Sequence, residues 1–149
     1  MAIESLLLAV GSGDADRIEQ LATTAVNLAE PADATVVLAH VFDEDGFRDV
    51  LDRLNYDPMG EVDPDEVASR YSTVRAIGAI LDEAGVDYEV RGLIGERGPT
   101  INAIAEEVEA DQLIVGGRKR SPAGKAVFGS TAQELLLSAP CPATFVRGD

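Results

Sequence analysis

Two kinds of apolar spacing alternate along the chain. Short apolar-rich runs at residues 3–10, 35–41, 113–115 and 143–146, and a further strand at 88–93, are separated by stretches in which apolar residues recur every third or fourth position. A run with no polar alternation is what a strand covered on both faces requires, whereas recurrence at i, i+3 and i+4 places side chains on one face of a helix. Ile18, Leu21, Ala22, Ala25, Leu28 and Ala29 mark the first such helix, which Pro31 and Asp33 end. From Pro64 the spacing predicts one long helix over 64–84, with Val67, Tyr71, Val74, Ile77 and Leu81 on its inner face and Gly85 as its stop signal. Pro99 opens a helix through Ile101, Ile104, Ala105 and Val108, and a last helix over 129–138 is buried through Ala132, Leu135, Leu136 and Ala139.

Residues 42–63 follow neither period. The segment holds eight acids together with Pro58 and Gly60, and reads as a long loop with one or two helical turns around Phe47, Val50, Leu51 and Leu54. Elsewhere strand and helix alternate. The fold class is therefore doubly wound α/β, an open sheet of about five parallel strands with helices on both faces. A length of 149 residues with 46% apolar content fits a single domain over 1–149. The last strand belongs at a sheet edge, because a chain terminus seldom threads into the middle of a parallel sheet.

Charge changes the picture more than composition does. The chain carries 27 acids against 12 bases, a net −15, and its bases are arginines except for Lys119 and Lys125. Such a field opposes the phosphate contacts on which nucleic-acid affinity depends. An acid-rich, lysine-poor surface suits a protein of salt-loving cytoplasm, where high salt screens self-repulsion. The longest aliphatic run, 6–10, is far shorter than a membrane span, and Glu4 with no base before it does not suit a secretory signal, so a cytoplasmic location is expected. A lone Cys141 and a lone His40 cannot form a disulfide or a zinc site of the usual N/S type, and no metal is expected.

Against this acidic background, residues 112–133 hold no acid but contain Arg118, Lys119, Arg120 and Lys125. The loop leaves a strand at Gly116 and Gly117 and enters a helix through Gly129, Ser130 and Thr131, where free amides and hydroxyls suit an anion. The same residues also spell a helix cap, Ser130 with Gln133 or Thr131 with Glu134. With Gly11-Ser12-Gly13 after the first strand, this loop is placed to flank a crevice at the carboxyl edge of the sheet. Known phosphate fingerprints do not fit. Six residues separate Gly117 from Gly124-Lys125 where a Walker loop has four, and Asp16 stands at the third glycine of a dinucleotide pattern. Asp14 and Asp16 at that helix start would repel a pyrophosphate.

The run Val115-Gly116-Gly117-Arg118, continuing through Val127-Phe128-Gly129-Ser130-Thr131-Ala132 to Ala139-Pro140-Cys141-Pro142, resembles the universal stress protein family. The resemblance covers nearly the whole chain. It implies a site for ATP formed by Val10, Gly11, Val41, Val115, Gly116, Arg118, Lys119, Gly129, Ser130 and Thr131, with the backbone of Val41 beside adenine. In the family's ATP-binding members Lys119 would be glycine and Gly11 would be an aspartate beside the adenosine. Lys119 brings a Cβ and an ammonium where the family brings backbone close to phosphate. Two functions follow: a stress-response protein that binds an adenine nucleotide, or a dimeric interaction protein of the same fold that binds none. The resemblance also implies a homodimer formed by pairing the last strands through Ala143, Thr144, Phe145 and Val146.

Single residues add little chemistry. His40 reads as a packed histidine and Cys141 as a small apolar side chain between two prolines. Asp43-Glu44-Asp45-Gly46 lacks the liganding spacing of a calcium loop and reads as solvated acids. No nucleophile, base and orienter come together, so no catalytic residues are assigned.

Overall fold

The computed structural model describes residues 3–56, 62–118 and 130–148. Five strands, β1 (Ser5–Val10), β2 (Thr35–Phe42), β3 (Tyr88–Ile94), β4 (Gln112–Arg118) and β5 (Ala143–Gly148), form one sheet in the order β3-β2-β1-β4-β5. Every pairing is parallel. The helices are α1 (Ile18–Ala29), α2 (Glu44–Arg53), α3 (Pro64–Arg70), α4 (Ser72–Glu83), α5 (Arg97–Glu107) and α6 (Ser130–Ser138). A short 3-10 helix, Ser12–Arg17, joins β1 to α1.

The apolar-rich runs are explained by two separate cores. Leu6, Leu8, Val36 and Leu38 point to one face, beneath α1 and α4. Leu7, Ala9, Val37 and Ala39 point to the other, beneath α5 and α6. Leu6, Leu7 and Leu8 are fully buried, each stabilising the fold by about 2 kcal/mol through removal of its side chain from water.

Two helical expectations need correction. The long helix over 64–84 is two helices, because Tyr71 adopts extended backbone (φ −66°, ψ 128°) between α3 and α4. Its ring stacks on His40 with centroids 4.3 Å apart. Past this break α3 packs Val67 and Ala68 on Phe42 at the carboxyl end of β2, while α4 packs Val74, Ile77 and Leu81 beside α1. A single extended residue leaves the apolar period intact, so the sequence carries no mark of it. The segment read as a loop with one or two turns holds the ten-residue helix α2, started by the Asp43 side chain, which accepts from the Gly46 N–H at 2.5 Å. None of its residues is buried, which explains the weak sequence signal.

Strand β5 lies at one edge of the sheet, where the sequence reading expected it. The opposite edge strand, β3, meets the start of α3. Gly92 donates its N–H to Asp65 Oδ1 at 2.6 Å, and a Cβ on Gly92 would overlap the Pro64 carbonyl. Pro99 lies in the first turn of α5 but does not open it: the helix begins at Arg97, and an absent N–H costs nothing there.

Candidate functional site

Strand order reverses between β1 and β4, so the connections leaving these strands diverge to opposite faces and leave a gap at the carboxyl edge. A crevice of about 370 Å³ occupies that gap. Gly11 and Gly13 form one side, Gly116 and Gly117 the other, and Arg97 and Thr131 reach in from α5 and α6. Glycine is required by close approach. A Cβ on Gly116 would stand 2.9 Å from both Arg17 Cδ and Asp14 Oδ1, and one on Gly117 would stand 2.6 Å from the Phe145 ring.

A buried ion pair supports the β1 side. Asp14 accepts the Gly11 N–H at 2.6 Å through Oδ2, while its Oδ1 lies 3.0 Å from Arg17 Nε. Arg17 also donates from Nη1 to the Gly13 carbonyl at 3.0 Å. Burial pushes the Asp14 carboxyl above the ordinary carboxylate range, and the Gly11 N–H, Arg17 and Arg97 pull it back. This geometry corrects the expectation that Asp14 repels an anion: its carboxylate turns back onto Gly11 and Arg17. Of the two acids on that turn, Asp16 is the exposed one.

Arg97, at the first position of α5, stands between the crevice and a second hollow of about 270 Å³. Its guanidinium lies so close to Gly11 that a Cβ there would overlap Nη2. Nε of Arg97 is buried and has no hydrogen-bond acceptor among the described residues, and no ion pair to Arg97 occurs among them. The second hollow is lined by the rings of His40, Phe42 and Tyr71, by Val41 and Val50, and by the charged Asp43, Asp49 and Arg53. His40 stacks on Tyr71 and meets Phe42 edge-on at 4.5 Å. Its Nδ1 lies 2.7 Å from the Val10 carbonyl, which can only accept, so Nδ1 carries the proton. Burial holds the imidazole below its usual pKa, Arg97 acts in the same direction, and the Val10 carbonyl opposes both.

The structure therefore brings Gly11, Val115, Gly116 and Thr131 of the sequence-derived set to one crevice. Val41 lies in the neighbouring hollow. The Val10 side chain faces the α1 and α4 layer, and its carbonyl is taken by His40. Arg118 ends β4 and Ser130 begins α6; Lys119 and Gly129 lie outside the described residues. His40 is packed and buried, in keeping with its reading from sequence. Sequence reasoning did not single out Arg97 or Arg17. The usable signal was position: Arg97 follows the carboxyl end of β3, on the sheet edge where ligands of such folds bind. Among the described residues no cluster of His, Cys, Asp and Glu is arranged to hold a metal ion, and no helix is long and apolar enough to cross a membrane.

The model of the universal stress protein family matches residues 3–147. A universal stress protein of Mycolicibacterium smegmatis is 33% identical over 89 residues, which cover 59% of this chain and 68% of that protein. A universal stress protein structure from Archaeoglobus fulgidus superposes with a TM-score of 0.72 at 25% identity, covering 97% of this chain and 98% of the other. A universal stress protein in complex with cAMP matches with a TM-score of 0.70 at 18% identity over the whole of both chains. A further structure from Archaeoglobus fulgidus, in complex with dAMP, matches with a TM-score of 0.66 at 21% identity, covering 99% of this chain and 100% of that one. Sheet order, the glycine-backed crevice and a family match over nearly its whole length converge: this chain belongs to the universal stress protein family.

Proposed function

We propose that this chain is a cytoplasmic stress-response protein that binds an adenine nucleotide across the two adjoining hollows. The base lies among His40, Phe42 and Tyr71, and the phosphate lies against Gly11, Gly116 and the start of α6. The observation that carries the reading is the junction itself: an aromatic hollow and a glycine-backed crevice meet at Arg97, each of a size suited to part of one small ligand. Flat rings receive a flat base, while backbone without Cβ atoms admits phosphate oxygens. The cAMP and dAMP held by two structural neighbours support the choice of adenine.

ATP is the ligand the family resemblance suggests, and it binds weakly here. Gly11 offers no carboxylate beside the adenosine, and Lys119 stands at a glycine position of the family pattern. Calorimetric titration at fixed salt tests the reading. AMP binds the wild type, ATP binds it more weakly, and Lys119→Gly raises ATP affinity. If neither nucleotide binds either protein, the reading falls and a non-nucleotide interaction protein takes its place.

The protein also forms a two-fold homodimer by pairing its β5 strands. This strand lies at the sheet edge, and Ala143, Thr144, Phe145 and Val146 carry no charge to block pairing. Sedimentation in high salt should give twice the monomer mass, and Thr144→Pro should lower it by removing a ladder donor. A monomeric wild type at micromolar concentration contradicts the dimer.

A further inference from the structure

We propose that Arg97 makes this a site for an adenine nucleotide that carries a phosphate on its sugar, at the 2′ or 3′ oxygen; the proposal rests on the nucleotide reading above. A nucleotide spanning the two hollows, with its base among the rings and its 5′-phosphate against Gly116, has its ribose at their junction. Arg97 occupies that junction. Its guanidinium carries a permanent charge and five donors, and Nε is buried without an acceptor among the described residues. Asp14, whose carboxyl feels the charge of Arg97, has its oxygens engaged by the Gly11 N–H and by Arg17. Asp43 and Asp49 line the same hollow, but no ion pair joins either to Arg97 among the described residues. Hydroxyls of a plain ribose would therefore meet some of the donors while supplying no charge as the ligand displaces water. A phosphate ester on the sugar supplies both acceptors and charge, in the geometry a guanidinium binds most strongly.

Gly11 makes this arrangement accessible. Its backbone (φ −105°, ψ 166°) is open to any residue, so its small size is not needed for conformation. The space beside it is taken by the Arg97 guanidinium instead, and the obstacle to a Cβ is the far end of that flexible side chain. A carboxylate introduced at this position would pair with Arg97 and occupy the donors that the sugar phosphate needs.

Calorimetry with adenosine 3′,5′-bisphosphate, adenosine 2′,5′-bisphosphate and 5′-AMP, at one fixed salt concentration, tests the proposal. Wild type should bind one of the bisphosphates at least tenfold more tightly than AMP. Arg97→Gln should reduce that affinity at least tenfold more than it reduces AMP affinity, and Arg97→Lys should recover part of the difference. Gly11→Asp should remove the preference while Arg97 stays in place, a control for any instability of the Arg97 variants. If both bisphosphates bind the wild type no more tightly than AMP, or if Arg97→Gln weakens all three ligands by one factor, the sugar-phosphate proposal fails and the nucleotide reading survives. If none of the three binds, both fall.

Discussion

The crevice beside Gly116 and the hollow beside His40 lie next to one another on the same sheet edge and are built from opposite materials. Glycines, Arg17, Arg97 and an apolar floor of Ile101, Val115 and Leu135 make the crevice; three aromatic rings, with Asp43, Asp49 and Arg53 beside them, make the hollow. The crevice depends on side chains being absent, since a Cβ on Gly116 or Gly117 would meet neighbouring atoms at under 3 Å. The hollow depends on side chains being present and mutually stacked. Charged side chains line both regions. Arg17 is neutralised by Asp14 at the back of the crevice, while Arg97 stands free of any ion pair among the described residues at the boundary. One sheet edge thus places a glycine-backed crevice beside a ring-lined hollow, with Arg97 between them.

Filling the crevice should separate the two regions most clearly. Gly116→Val forces a Cβ and two methyls against Asp14 and Arg17, and we expect at least a hundredfold loss of nucleotide affinity with about 2–3 kcal/mol of lost stability. Titration with adenosine, which has no phosphate, checks the division: its affinity should change little. Equal loss for adenosine and nucleotide would show that the hollows act as one.

A smaller effect is expected from the opposite side. Tyr71→Ala removes the ring stacked on His40 and should cost about 2 kcal/mol in a denaturant titration. It should weaken adenosine about tenfold while leaving inorganic pyrophosphate binding nearly unchanged, because Tyr71 lines the hollow and not the crevice. Pyrophosphate binding that falls in parallel would join the two regions again.

The pH dependence comes next. The folded protein holds the His40 pKa below its usual value of about 6.5, mainly through burial, so the unfolded chain takes up a proton first as pH falls. Stability due to neutral His40 is complete above pH 6.5 and is lost as pH drops from there through the lowered folded value. His40→Gln should therefore flatten the decline of Tm between pH 7.5 and 5 by a few degrees relative to wild type. Parallel curves would remove His40 as the cause.

Salt should produce the gentlest change. Nucleotide affinity should fall several-fold between about 0.1 and 1 M KCl while adenosine affinity stays level, since adenosine carries no charge for salt to screen. Over the same range the acidic shell, at net −15, should make Tm rise beyond the point where ordinary screening is complete. A flat or falling Tm would remove the salt-adapted reading of the surface.

Sequence alone determined the alternation of elements, because burial on both faces writes an unbroken apolar run into residues such as Leu6, Leu7 and Leu8, and burial on one face writes a helical period into α1 and α5. It also marked Gly11 as a glycine that follows a strand; Gly116 and Gly117, read as the start of a loop, instead continue β4 and pair with Val146 and Arg147, because β5 runs on beside them. The break at Tyr71, the turning of Asp14 onto Gly11, and the position of Arg97 between two hollows were decided only in the tertiary structure. Two of these depend on partners from other elements, Tyr71 on His40 in β2 and Arg97 on the pairing of β1 beside β4, while Asp14 depends on the tight 3-10 turn that brings Gly11 and Arg17 to it. Periodicity records which face of an element is dry, a local property summed over neighbours in sequence. Which distant side chain stands at the mouth of a crevice is set by strand order, and no local pattern of residues encodes that.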